Sequence, residues 1–188
     1  MKLSGSYQIN LEKQKVWEAL NDPEILKKSI PGCEEFKKNS ETEFTATATN
    51  KIGPFNATFT GDIELKDLDP PNSYKIIGSG NSPVGFANGE ASVTLEDFED
   101  GTNLKYSVEA NVGGKIAQVG SRLIDMTAKK MADIFFGKFV ELITTKTTTE
   151  KVKKVNEDKI QSQKEPINKI FIFSLVIIIV AIIIYSLI

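Results

Sequence analysis

The chain has 188 residues, with 23 basic and 25 acidic side chains and a formal net charge of −2, which suits one ordinary domain plus an appendage rather than two full cores. The near-neutral balance argues against nucleic acid as a partner, because such binders concentrate basic residues on one face. Histidine is absent and Cys33 is the one cysteine. This excludes His-based acid/base chemistry, Ser-His and Cys-His nucleophile pairs, zinc fingers and internal disulfides, and leaves a carboxylate-only metal or acid/base site as the survivor.

In chain order, alternation from Leu3 to Leu11 predicts a strand, and Val16, Trp17 and Leu20 predict a short helix broken by Asn21-Asp22-Pro23. Ile25-Leu26 suggests a second turn of helix, ending before Pro31-Gly32. The period then changes to two. Phe44, Ala46 and Ala48 alternate with threonines, and Phe55, Ala57, Phe59, Ile63 and Leu65 alternate with polar residues. Further alternating runs follow Ser73, Val84 and Thr102, with Gly53-Pro54, Pro70-Pro71 and Asp100-Gly101 at the seams. Such a pattern predicts an antiparallel meander with one apolar face. From Lys115 to Ile143 the apolar residues Ile116, Val119, Leu123, Met126, Met131, Phe135 and Phe139 recur at helical spacing, predicting one long amphipathic helix. The expected class is therefore α+β. A curved antiparallel sheet of about six to seven strands wraps the long helix, and any mismatch between the two leaves a hollow.

Two further segments follow the expected domain of residues 1–143. Residues 144–169 form a polar Lys/Thr-rich linker, read either as a flexible tether or as an extension of the helix. From Lys146 to Lys169 it holds seven lysines against four acids. Residues 170–188 carry no charge and are apolar except at Ser174 and Ser186. As a helix this run would span roughly 28 Å, close to the thickness of a bilayer core. With the lysine excess beside it, no apolar leader at the N-terminus and nothing after Ile188, the expectation is a single-pass C-terminal anchor (a transmembrane helix) in the cell membrane. The globular part would then face the cytoplasm.

The order of elements resembles the START/Bet v 1-like helix-grip (SRPBCC) superfamily, and the motifs are similar to those of the carbon monoxide dehydrogenase CoxG family within it. The residues that carry this resemblance are Val16-Trp17-Glu18-Ala19-Leu20 with Asp22-Pro23, Ile30-Pro31-Gly32-Cys33 and Gly53-Pro54-Phe55 with Phe59-Thr60-Gly61. Pro70-Pro71 with Tyr74, the runs GSGNSPVGFANGEA (78–91) and GGKIAQVGSRL (113–123), and Phe135-Phe136 complete the set. The resemblance implies a non-catalytic accessory protein. Its partners would be the subunits of a molybdenum-containing carbon monoxide dehydrogenase or related hydroxylase, which it would recruit to membrane lipid. It further implies a quinone or lipid held in the grip cavity, with no covalently bound cofactor.

The residues themselves favour a binder over a catalyst, since an apolar hollow suits a hydrophobic ligand. The candidate lining is Phe55, Phe59, Phe86, Tyr106, Val119, Leu123, Met126, Met131 and Phe135; each also suits plain core filling, and Phe86 also fits the other strand face. Arg122, the one arginine in the chain, either contacts a ligand oxygen or pairs with a carboxylate such as Asp125. No catalytic residue and no metal site is predicted. Asp62, Glu90 and Glu109 fall opposite the apolar set of their strands, and Cys33 has no histidine to activate it. Two alternatives stay open: a lipid-binding or lipid-transfer protein without a dehydrogenase partner, and a cyclase- or hydratase-type enzyme using the same cavity.

Overall fold

The computed structural model describes the backbone of residues 1–161 and the side chains through Thr145. The chain divides into two units, Met1–Lys146 and Thr147–Ile188. The apolar run 170–188 lies outside the described residues, and among those described no helix is long and apolar enough to cross a membrane.

The first unit is a seven-stranded antiparallel sheet with three helices and a 3₁₀ turn. Strand β1 (Lys2–Ile9) leads to α1 (Lys13–Leu20) and α2 (Pro23–Ser29). The meander follows as β2 (Cys33–Lys38), β3 (Glu43–Ile52), β4 (Phe55–Asp69), β5 (Ser73–Ser82), β6 (Gly85–Phe98) and β7 (Gly101–Gly113). A 3₁₀ turn, Lys115–Val119, precedes α3 (Ser121–Gln161). The spatial order β1-β7-β6-β5-β4-β3-β2 is what successive hairpins produce, with β1 joining the last strand. The chain carries the expected sequence of elements, including both short helices and seven strands.

Local chemistry explains the breaks. Between α1 and α2 the Asp22 carboxylate accepts hydrogen bonds from the backbone N–H groups of Glu24 and Ile25, and Pro23 occupies the first turn. That is an N-cap with a proline where no donor is needed. One expectation is corrected: no continuous helix runs from Lys115. Gly120 has φ +89°, outside the right-handed region, so the 3₁₀ turn ends there and α3 starts afresh at Ser121 with a new phase. At its other end α3 runs on to Gln161, through the first part of the segment read as tether or helix extension.

The dense core sits under α1 and α2. There Phe136, Phe139 and Ile143 of α3 meet Val16, Trp17, Leu20, Tyr74, Leu95 and Leu104. Trp17 meets Tyr74 edge-on, with ring centroids 5.3 Å apart. Burying each large side chain contributes about 1.5–3 kcal/mol. Beside this core, Tyr7 stacks on Phe136 at 4.2 Å and donates a hydrogen bond to the Asp133 carboxylate at 2.8 Å, which ties edge strand β1 to α3. Burial and the Asp133 bond push the Tyr7 phenol well above its ordinary range.

Candidate functional site

The register of the sheet explains where its inner face is full and where it is empty. Starting at the packed end, one cross-strand row reads Tyr74, Val93, Tyr106 and Gly5, with the Tyr106 ring lying over Gly5. Two rows further on come Ile63, Gly78, Gly89 and Ala110. The next row reads Ala46, Gly61, Gly80, Ala87 and Val112. Large side chains thus give way to glycine and alanine in the middle of the sheet. A methyl group built on Gly78 would meet nothing within 4 Å, and one on Gly80 would touch only the Phe59 side chain.

Above this floor α3 presents Ile124, Thr127, Ala128 and Met131, at the i, i+3, i+4, i+7 spacing of one helix face. Two small side chains again leave space. The result is a hollow of about 260 Å³ between sheet and helix, bordered also by Ile52, Phe59 and Ile116. A second hollow of about 310 Å³ covers the floor around Gly78, Gly80, Gly89 and Ala91, and Ala87 borders both. Interiors normally pack to crystal-like density, so a void lined this way holds either nothing or an apolar guest.

The polar groups on the wall of the first hollow are few. Asn50 donates to the Pro31 carbonyl at 3.0 Å, and the Thr127 hydroxyl donates to the Leu123 carbonyl at 2.8 Å. The Met1 ammonium is bound to the Ala110 carbonyl at 2.8 Å. No Asp, Glu, Lys, Arg, Tyr or Cys side chain is among the lining residues of that hollow.

The outer face of the sheet holds a larger concavity, of about 970 Å³, in the saddle of its twist. Its central row is Glu43, Glu64, Ile77, Glu90, Glu109 and Lys2. This is a broad, water-facing surface on the face opposite the helix. The carboxylates Asp62, Glu90 and Glu109 are exposed there. Lys2, 2.7 Å away, lowers the carboxyl pKa of Glu109. Burial raises the Cys33 thiol, against the pull of Lys27.

The structure sorts the candidate lining residues into distinct places. Phe59 and Met131 lie on the wall of the hollow. Tyr106 and Phe135 belong to the packed side, in the stack around Phe136. Val119 and Leu123 pack on the Gly53 turn, and Phe55 sits at the same hairpin opposite Ile52. Two placements are corrected. Met126 is 61% exposed on the outer side of α3, because five residues at about 100° each set it roughly 140° around the helix from Met131. Phe86 is 38% exposed on the outer face of the sheet, where its ring covers Gly113. Arg122 is exposed and takes part in no ion pair among the described residues. The residues that sequence reasoning missed are the small ones: Ala87, Thr127, Ala128 and the floor glycines. The run GSGNSPVGFANGEA was the available signal, since glycine and alanine at alternate positions of paired strands leave a face without side chains.

Comparison with known proteins agrees with this geometry. A crystallised conserved protein from Geobacillus kaustophilus is 32% identical, with a TM-score of 0.74 over 77% of this chain and 96% of that one. Two more distant structures share the fold. Ara h 8.0201 has 14% identity and a TM-score of 0.56, over 77% of this chain and 98% of its own. The ZhuI aromatase/cyclase from Streptomyces sp. R1128 has 12% identity and a TM-score of 0.55, over 78% and 95%. A search of the curated proteins finds no match to this chain. The family description for the CoxG component of carbon monoxide dehydrogenase matches residues 5–144, so a Bet v 1-like sheet gripping one long helix, with an apolar hollow between them, belongs in this chain to the CoxG family.

Proposed function

We propose that this protein is a non-catalytic accessory protein that holds an apolar, membrane-derived ligand such as a quinone between sheet and helix. We further assign it the task of keeping a carbon monoxide dehydrogenase-type molybdenum hydroxylase at the membrane. The observation that carries the ligand reading is the hollow under α3, lined mainly by apolar side chains such as Ala48, Phe59, Ala87, Val112, Ala128 and Met131 and sharing Ala87 with the glycine-floored hollow beside it. Transfer of an apolar guest into such a space contributes about 25 cal/mol for each Å² removed from water. Asn50 and Thr127 offer the two side-chain polar contacts that would orient a guest with one oxygenated end. The family description supports the dehydrogenase partner, and the uncharged run 170–188 beside its lysine-rich neighbour supports the anchor.

The test is purification of the full-length tagged protein from its native membranes in mild detergent, with mass spectrometry of the bound small molecules and proteins. The expected result is a stoichiometric apolar ligand together with molybdopterin, iron–sulfur and flavin subunits. A ligand without those subunits leaves a lipid-binding protein. Turnover of a polyketide-like substrate, lost on substitution of a wall residue, would make the protein an enzyme of the cyclase type.

A further inference from the structure

The successive hairpins put the turns of the domain at two ends, and the two ends differ in charge. At one end lie the β2–β3, β4–β5 and β6–β7 turns. Residues 39–42, 67–72 and 97–100 there hold Glu41, Asp67, Asp69, Asp97, Glu99 and Asp100 and no Lys or Arg, while Lys38, Lys75 and Lys13 reach in to pair with Glu41, Asp67 and Asp97. At the other end lie the β3–β4 and β5–β6 turns and the entry to α3. Residues 51–56, 82–87 and 113–130 hold Lys51, Lys115, Arg122, Lys129 and Lys130 against Asp125, and the start of β2, which pairs with β3 toward this end, adds Glu34 and Glu35. This inversion stands out in a domain whose first 143 residues hold 16 basic and 21 acidic side chains.

Contacts show that these segments meet. Gly53 packs on Val119 and Leu123, Gly114 packs on Val84 and Gly85, and the Ile116 amide donates to the Val84 carbonyl at 2.9 Å. All five cations are exposed. The ion pairs among the described residues instead use Lys2, Lys13, Lys38, Lys66, Lys75, Lys105 and Lys138. Apolar residues at this end are also uncovered: Phe86 and Met126 are exposed large side chains, and Pro54 and Pro83 stand exposed at the turn tips. Ile52 and Ile116, which border the hollow, lie on these same segments.

We propose that this end of the domain docks on an anionic lipid surface, with Phe86, Met126, Pro54 and Pro83 entering the interfacial layer and Lys51, Lys115, Arg122, Lys129 and Lys130 meeting the headgroups. Apolar tips ringed by cations match the chemistry of an anionic bilayer, in which each cation near the surface adds to binding and salt weakens it. The opposite end also exposes apolar side chains, Leu68 and Phe98, but sets them among acids that such a surface repels. The inference deepens the ligand reading above and rests on it in one respect: the docking segments border the hollow through Ile52 and Ile116, so docking brings the bilayer close to the guest's site.

The experiment uses residues 1–146. This unit contains the whole hydrophobic core cluster and corresponds to nearly the full length of the crystallised Geobacillus relative. The protein is floated with phosphatidylcholine vesicles that either lack phosphatidylglycerol or contain about a third of it. Binding to the anionic vesicles alone is expected, lowered at least about tenfold by Lys51→Glu with Arg122→Glu, by Phe86→Ser with Met126→Ser, or by raised salt. Leu68→Ser with Phe98→Ser, at the other end, should leave binding unchanged. Thermal melts verify that each variant folds. No flotation with either vesicle, or equal loss from the Leu68/Phe98 variant, overturns the docking surface. A unit that retains an apolar ligand but does not float sinks the docking alone. One that floats but never holds a ligand sinks the ligand reading and leaves the docking standing.

Discussion

One helix and one sheet enclose two interiors of opposite character. Toward the C-terminal end of the described part of α3, Phe136, Phe139 and Ile143 fill the space above Tyr74, Val93, Leu95 and Leu104. Toward its N-terminal end, Ile124, Thr127, Ala128 and Met131 face Ala48, Phe59, Ala87 and Val112 across a hollow of about 260 Å³. Side-chain volume separates the two regions, and α1 and α2 add Val16, Trp17, Leu20 and Ile25 to the packed one. The packed half supplies cohesion, which allows the other half to stay hollow without the domain losing its fold.

Four substitutions break or sharpen this contrast. The largest effect belongs to Phe139→Ala, which removes a fully buried ring from the packed half. It should cost about 3–5 kcal/mol in denaturant unfolding, and a cost below about 1 kcal/mol would show that the two halves are less different than their packing indicates. The converse change, Ala128→Phe, fills the hollow. It should weaken retention of the apolar ligand by at least about tenfold, roughly 1.4 kcal/mol, as read by mass spectrometry of co-purified small molecules, while the melting temperature holds or rises. Unchanged ligand retention would place the binding elsewhere.

A smaller effect is expected where α2 closes the packed end. Asp22→Ala removes the cap on Glu24 and Ile25 and should cost about 1 kcal/mol, with Asp22→Asn retaining most of it. The smallest change at neutral pH concerns Tyr74. Burial alone raises its phenol far above the usual range. A group whose folded pKa is raised contributes stability that is fully present below the unfolded value, about 10, and is lost as pH climbs above it. Wild-type melting temperature should therefore fall above about pH 10, and Tyr74→Phe should flatten that fall. Tyr7 is raised as well, so the variant reduces the alkaline loss without abolishing it.

Much of the fold was legible along the chain. Period-two runs marked the strands, Asn21-Asp22-Pro23 marked the break between α1 and α2, and the stripe after Gly114 marked the long helix. The site was legible only in part. Searching for large apolar side chains found Phe59 and Met131, but the same search also returned Met126 and Phe86, which face water. A cavity is made where side chains are small, so hydrophobicity points toward the packed half and away from the hollow one. The breadth of the stripe on α3 was a second obstacle, because Met126 and Met131 both belong to it yet lie roughly 140° apart around the helix, one facing water and the other the hollow.

The sequence alone determined the kind and order of the elements and which face of each is apolar, because these follow from periodicities of 2 and 3.6 residues that neighbours along the chain set by themselves. Tertiary structure decided where the interior is empty. Gly61, Gly78, Gly80 and Gly89 are scattered along three strands, and only the register of β4, β5 and β6 brings them side by side. The volume left between two layers depends on which residues face each other across a gap, and pairing between distant segments sets that.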